Sequence, residues 1–209
     1  MSANRLRLAV CLSGSGRTLQ NLLDLRQANE LDAEIAIVIA SRSGVGGIER
    51  AAKAGAPHAV VDRKMLGDAD FNRRVFDLID EAQADLIVLA GWLHLLNVPP
   101  RYVGRVMNIH PALLPSFGGR GMWGDKVHQA VLDQGCKISG CTVHFVDQNY
   151  DTGPIILQRI CPVLENDSCH DLAARVFEEE KIALPAAIRL FQQSRLKIDG
   201  RRVRVRAAP

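Results

Sequence analysis

Several protein classes are closed off by what this chain lacks. There is no C-x-x-C pair, and the five cysteines (Cys11, Cys136, Cys141, Cys161 and Cys169) are odd in number. That argues against a disulfide framework or a zinc site and suits a reducing compartment. The first ten residues carry Arg5 and Arg7 and no long apolar run, so neither signal peptide nor membrane span is expected. These points predict a cytoplasmic protein. A net charge of only +3 over 209 residues is too weak to argue for nucleic acid. Much of that excess sits in the tail, at Arg195, Lys197, Arg201, Arg202, Arg204 and Arg206. Leu196-Lys197-Ile198, a turn at Asp199-Gly200, and Val203 and Val205 alternating with arginines read as a solvated hairpin, with a nucleic-acid or anionic-lipid patch as the alternative. No internal repeat or low-complexity segment is present. The dinucleotide fingerprint Gly-x-Gly-x-x-Gly is also missing, because position 19 is Leu.

What is present is an alternation of buried strands and amphipathic helices. Leu6 to Leu12 is a β-compatible run, apolar but for Arg7, the pattern of a strand covered on both faces. Ser13-Gly14-Ser15-Gly16-Arg17-Thr18 follows and opens a helix striped by Leu19, Leu22 and Leu23. A strand, a glycine loop and a helix start present backbone N–H groups to an anion, with phosphate the natural guest. Taken alone, Gly-x-Gly is equally a tight turn that needs glycine for positive φ. Further strands are read at 35–40, 59–61 and 85–90, with helices ending at Gly55 and carrying Phe71, Val75, Leu78 and Ile79. This alternation predicts a Rossmann-like α/β fold with a mostly parallel twisted sheet and helices on both faces. Strands 140–146 and 154–160, joined by a short turn, should pair antiparallel and give an antiparallel C-terminal edge. Ser168 and Asp171 resemble a capping box for the last helix, where Pro185 reads as a kink or break. Residues 1–194 are expected to form one domain and 195–209 a basic hairpin or tail.

Val106-Met107-Asn108-Ile109-His110-Pro111 is the stretch that asks for a chemical explanation. On a strand, Asn108 and His110 stand on one face, with Met107 and Ile109 on the other. Burying an amide and an imidazole on an apolar strand is costly unless they find partners. Asp151, in the turn between the last two long strands, is the third polar residue at a strand–loop junction. A histidine can hold or release a proton within a turnover, and a carboxylate beside it favours its charged form. Asparagine can donate to an oxygen that gains negative charge. The set would suit attack on a carbonyl by an amine substrate. Each residue alone can also be structural: a core histidine, a turn former and an Asx turn. His144 reads as structural or supporting, and His58, His128 and His170 as surface residues without a role. The Gly/Pro-rich segment 111–125 is long enough to be functional or mobile.

Ser13-Gly14-Ser15-Gly16 before a Leu-Gln helix start, Asn108-Ile109-His110-Pro111 with Leu113-Leu114-Pro115, and Thr142-Val143-His144-Phe145-Val146 followed by Asp151-Thr152-Gly153-Pro154 resemble the phosphoribosylglycinamide formyltransferases. The resemblance runs from the first strand to the last helix. It implies the formyltransferase fold and transfer of formyl from 10-formyltetrahydrofolate, the co-substrate, to the amine of glycinamide ribonucleotide in purine biosynthesis. Asn108, His110 and Asp151 would be catalytic: His110 as proton donor and oxyanion partner, Asp151 raising its pKa, and Asn108 on the formyl oxygen. Ser15, Gly16, Arg17, Thr18 and Glu180 would bind the ribonucleotide. Leu93, His94, Leu95, Leu96, Asn108, Asp147 and Asp151 would bind the folate, with Gly118–Trp123 as a mobile cover. No metal, nucleic acid or membrane partner is implied, and a monomer or homodimer is expected. Arg17-Thr18, His94 and Asp68 depart from the family pattern. The alternatives are a formyltetrahydrofolate hydrolase, a tRNA formyltransferase, or a nucleotide-binding module without catalysis. The first two would require an added N-terminal or C-terminal domain, for which the sequence is expected to have no room.

Overall fold

The computed structural model describes residues 5–207, which divide into two compact units. The first holds the chain up to Asn97 together with Arg105–Met107; the second holds Val98–Gly104 and the chain from Asn108 on.

In the first unit, β1 (Leu6–Leu12), β2 (Ala33–Ala40), β3 (His58–Val60) and β4 (Leu86–Leu89) lie in the order β3-β2-β1-β4. Every pairing among them is parallel. Leu8 through Leu12 and Val38 through Ala40 are fully buried on both strand faces. Unbroken Val/Ile/Leu/Ala runs form such strands because neither face meets water. The crossovers carry helices α1 (Arg17–Gln27), α2 (Gly46–Lys53) and α3 (Asp68–Glu81). Leu19, Leu22 and Leu23 form the inward stripe of α1, and Phe71, Val75, Leu78 and Ile79 that of α3. Gly46 and Gly47 lie inside the first turn of α2 rather than in the loop before it. Van der Waals crowding explains Gly47, since a Cβ there would come within 2.4 Å of Leu12.

Strand β5 (Val106–His110) carries the chain from the first unit into the second. The second unit has the order β5-β6-β7-β9-β8, with β6 (Ile138–Phe145), β7 (Ile155–Pro162), β8 (Leu196–Asp199) and β9 (Arg202–Val205). The expected antiparallel pairing of β6 with β7 is present, as is a hairpin of β8 with β9. Between the two pairs, β9 meets β7 in parallel through Arg202 and Ile155, so the basic hairpin extends the sheet. Helix α4 (Asp125–Asp133) packs on helix α5 (Cys169–Gln192), which covers β6 and β7.

Two expectations are corrected. Helix α5 runs without a break through Pro185. Proline removes one N–H donor from the ladder, but Ala183, Leu184, Ala187 and Ile188 around it are completely buried, and that packing holds the helix across the missing bond. His128 is not on the surface: it is 4% exposed, between Val127 and Val131 on the inward side of α4. The capping box is as read, with the Ser168 hydroxyl accepting from the Asp171 N–H and the Asp171 carboxylate accepting from the Ser168 N–H.

Candidate active site

The second unit gathers Asn108, His110 and Asp151. Met107 and Ile109 are buried; Asn108 is half-buried and His110 is 4% exposed. Asp151 is delivered by the turn after β6. Gly153 makes that turn possible, because a Cβ there would stand 1.8 Å from the Phe145 carbonyl oxygen. Asp151 itself has φ 56°, a left-handed conformation that costs a non-glycine residue on the order of 1–3 kcal/mol. Its carboxylate explains why that conformation is kept. Oδ2 accepts from the Gly119 N–H at 2.9 Å and stands 3.6 Å from His110 Nδ1, and Oδ1 accepts from Asn108 Nδ2 at 3.2 Å.

A fourth side chain completes the cluster. His144 on β6, 1% exposed, places Nε2 3.1 Å from Asn108 Nδ2 and 3.6 Å from Asp151 Oδ1. In the sequence it reads as structural or supporting, and its position on one strand face with Thr142 is the available signal. Thr142 is itself a loop anchor: its hydroxyl donates to the Ala112 carbonyl at 2.7 Å and accepts from the Leu114 N–H at 3.0 Å. Gln158 adds a bond to the Leu114 carbonyl. The segment after His110 is therefore tied down through Leu114, and again at Phe117 and Gly119.

His110 Nε2 lies 2.8 Å from the Phe117 carbonyl oxygen. Two acceptors cannot approach that closely, so Nε2 carries a proton. Burial lowers the His110 pKa, and the nearby Asp151 charge and the Phe117 carbonyl oppose this without reversing it. Asp151 does push the His110 pKa upward, as expected, but desolvation outweighs it and the net shift is downward. For Asp151, burial pushes the carboxyl upward, yet the contacts with His144, His110 and the Gly119 N–H together hold it below its ordinary value. The pair at rest is a carboxylate beside an imidazole that resists charging. Asp147 turns its carboxylate inward to its own loop, accepting from the Thr152 hydroxyl at 2.8 Å and the Asn149 N–H at 3.0 Å. Glu180 is half-buried on α5, near enough to Cys141 to help raise its thiol pKa.

In the first unit, the loop after β1 is held from behind. The carbonyls of Ser13, Gly14 and Ser15 accept in turn from Arg42 Nε (3.0 Å), the Gly47 N–H (3.2 Å) and Arg50 Nε (3.0 Å). In a trans peptide the N–H points opposite to the carbonyl. The N–H groups of Gly14, Ser15 and Gly16 consequently face away from those donors, as an anion nest requires. Gly16 has φ 74° and its missing Cβ would lie 2.6 Å from the Gly47 Cα. Arg17 and Thr18 fall in the first turn of α1, with Arg17 exposed and Thr18 half-buried. The buried Ser13 hydroxyl joins this loop to the next: it accepts from Ser41 Oγ at 2.7 Å and from the Leu93 N–H at 3.1 Å. Ser13 opens the Ser13-Gly14-Ser15-Gly16 motif, whereas Ser41, Arg42 and Arg50 belong to no recognisable spacing and are missed by sequence reading.

Leu93 and His94 are half-buried, Leu95 exposed and Leu96 buried. His94 packs edge-on to Phe71 and Trp92, and its Nδ1 meets Arg63 at 3.3 Å. Burial and then the Arg63 charge lower its pKa. Asp68 pairs with the same Arg63 at 2.7 Å, so a guanidinium stands beside His94 although neither Asp68 nor His94 is an arginine.

A buried imidazole with a half-buried carboxylate and carboxamide beside it can hold a proton, orient an amine and stabilise an oxyanion. The formyl transferase family profile matches residues 6–188. This chain belongs to the formyl transferase family. The formyl transferase chain is 39% identical to glycinamide ribonucleotide transformylase 1 from Symbiobacterium toebii, covering 97% of this chain and 95% of that structure with a TM-score of 0.89. It is 37% identical to the chloroplastic phosphoribosylglycinamide formyltransferase of Vigna unguiculata over 86% of this chain and 59% of that protein. It is 36% identical to the trifunctional purine biosynthetic protein adenosine-3 of Gallus gallus over 95% of this chain, and spans only 20% of that protein's length. Among the described residues no helix is long and apolar enough to cross a membrane.

Proposed function

We propose that this formyl transferase moves the formyl group of 10-formyltetrahydrofolate to the amine of glycinamide ribonucleotide, acting on these small molecules in the cytoplasm as a monomer or homodimer. Residues 1–194 would be its catalytic domain and 195–209 a basic appendage. The observation that carries the reading is the Asn108–His110–Asp151 cluster. Among the described residues its side chains bond to one another, to His144 and to backbone groups, and to no serine or cysteine. A cluster without its own nucleophile fits a substrate that brings one.

The amine nitrogen attacks the formyl carbon, a C–N bond forms, and the carbonyl electrons pass to oxygen. His110, charged against the pull of burial, donates toward that oxygen, and Asp151 favours the charged imidazole. Asn108 contributes through its carboxamide. Collapse breaks the bond from the formyl carbon to the folate nitrogen, which takes a proton as the former amine loses one. Ser15, Gly16, Arg17 and Thr18 would bind the phosphate and Glu180 the rest of the ribonucleotide. Leu93, His94, Leu95, Leu96 and Asp147 would line the folate site.

The test is a folate-absorbance assay with both substrates and product analysis. Formylated ribonucleotide in one-to-one yield with tetrahydrofolate supports the reading. Formate release that ignores the ribonucleotide would assign a hydrolase, and binding without turnover a nucleotide-binding module.

A further inference from the structure

His144 is buried, titratable and unused by the mechanism above, yet it touches two of the three proposed catalytic side chains. Its Nδ1 lies 2.8 Å from the Phe145 carbonyl oxygen. At that separation Nδ1 must carry hydrogen, because two lone pairs would repel. In the neutral ring this leaves Nε2 as a bare acceptor. The atom facing that acceptor is Asn108 Nδ2, at 3.1 Å. A carboxamide nitrogen has two hydrogens; the second is taken by Asp151 Oδ1 at 3.2 Å. Turned the other way, Asn108 would set its oxygen against an imidazole lone pair and a carboxylate at once.

We infer that His144 is a positioning residue for the formyl transfer reaction: the Phe145 carbonyl fixes its tautomer, and its Nε2 fixes which end of the Asn108 carboxamide meets the substrate. Asn108 Oδ1 has no partner among the described residues and remains the end offered to the substrate side. The unliganded amide is therefore poised to accept from the attacking amine's N–H, orienting its lone pair, while the oxyanion falls to His110. The main chain takes part as well. Gly153 closes on the same Phe145 carbonyl that holds His144, so the turn that delivers Asp151 also sets the His144 ring.

This inference rests on the formyl-transfer reading, and its test separates the two. Nitrogen-15 spectra of the whole chain report the His144 tautomer directly, and the Nδ1–H form is expected. His144→Leu removes the acceptor; His144→Gln keeps one near the position of Nε2. The Leu variant should lose roughly 10- to 100-fold in kcat, the size of a misoriented catalytic group, with both KM values within about threefold of the parent. The Gln variant should recover to within about fivefold of the parent kcat. An Nε2–H tautomer overturns the inference, as does a Leu variant with near-parent kcat or a Gln variant no better than Leu. If His144→Leu does not fold, the tautomer and the Gln variant decide. A parent chain that forms no formylated product defeats the functional reading instead, and the tautomer still judges the geometry.

Discussion

Replacing Asp151 by asparagine alters charge and hydrogen bonding at the point where four groups converge. Oδ2 takes the Gly119 N–H at 2.9 Å and faces His110 at 3.6 Å; Oδ1 takes Asn108 Nδ2 at 3.2 Å and faces His144 at 3.6 Å. In Asp151→Asn one of these oxygens becomes an NH2 group and meets a donor whichever way it turns. One charge-assisted bond is lost, worth about 1.5–3 kcal/mol, or on the order of 10- to 100-fold in rate. The larger loss falls on His110. Burial already lowers its pKa, and Asp151 is the main opposing influence. Without that charge the imidazolium needed for proton donation becomes rarer, and general acid catalysis contributes typically 10²–10⁴-fold. Because both effects act through one imidazole they do not multiply fully, and a fall in kcat of about 10²–10³ is expected. KM for either substrate should change little, as phosphate recognition is assigned elsewhere. Steady-state kinetics by folate absorbance, with each substrate varied in turn, makes the measurement. A kcat within about fivefold of the parent would remove Asp151 from the chemistry.

Arg50→Gln should weaken the ribonucleotide selectively, because Arg50 holds the Ser15 carbonyl at 3.0 Å; KM for it should rise about 5- to 20-fold with KM for the folate unchanged, and equal shifts in both would refute the assignment. Acid should destabilise the fold through His110: its folded pKa lies below the ordinary 6.5, so the unfolded chain binds the extra proton. The stability held above that value is lost as pH falls below it, with a slope from this one group of at most about 1.4 kcal/mol per pH unit. Asp151, also lowered from 3.8, adds a second loss as pH falls from 3.8 through its folded value. Denaturant titrations at pH 7.5 and 5.5, as working values, should show a smaller difference in His110→Gln than in the parent, and identical differences would refute the point. Ser168→Ala breaks the capping box of α5 and should cost about 1 kcal/mol, or roughly 2–4 °C in Tm by calorimetry; an unchanged Tm would mean that packing alone sets the start of the helix.

The strands were legible because their burial is a property of runs. Leu6–Leu12 is apolar at every position but Arg7, and its bounds were read correctly. The capping box of Ser168 and Asp171 was legible because both partners lie within one turn. The buried place of His128 and the absence of a break at Pro185 have a common reason: tertiary packing decided both, and residue type alone carries no record of it. At the site, the strand period placed Asn108 and His110 on one face. It could not reveal that backbone groups do much of the holding. The Phe117 carbonyl and the Gly119 N–H belong to a loop whose path depends on Thr142 and Gln158, far away in sequence. The net direction of the His110 shift was not legible, since it depends on how deeply the ring is buried. Arg42 and Arg50 reach the glycine loop from the segment after β2, a contact that only the folded crossover creates.

The most direct measurement is an isotope transfer experiment. Folate carrying a 13C-labelled formyl group is mixed with glycinamide ribonucleotide and the chain, and the label is followed by NMR. The label should move to the ribonucleotide amine at a rate set by enzyme concentration, and Asp151→Asn should nearly abolish that movement. Label appearing as free formate, or staying on the folate while both ligands bind, would contradict the assignment of this buried cluster to formyl transfer.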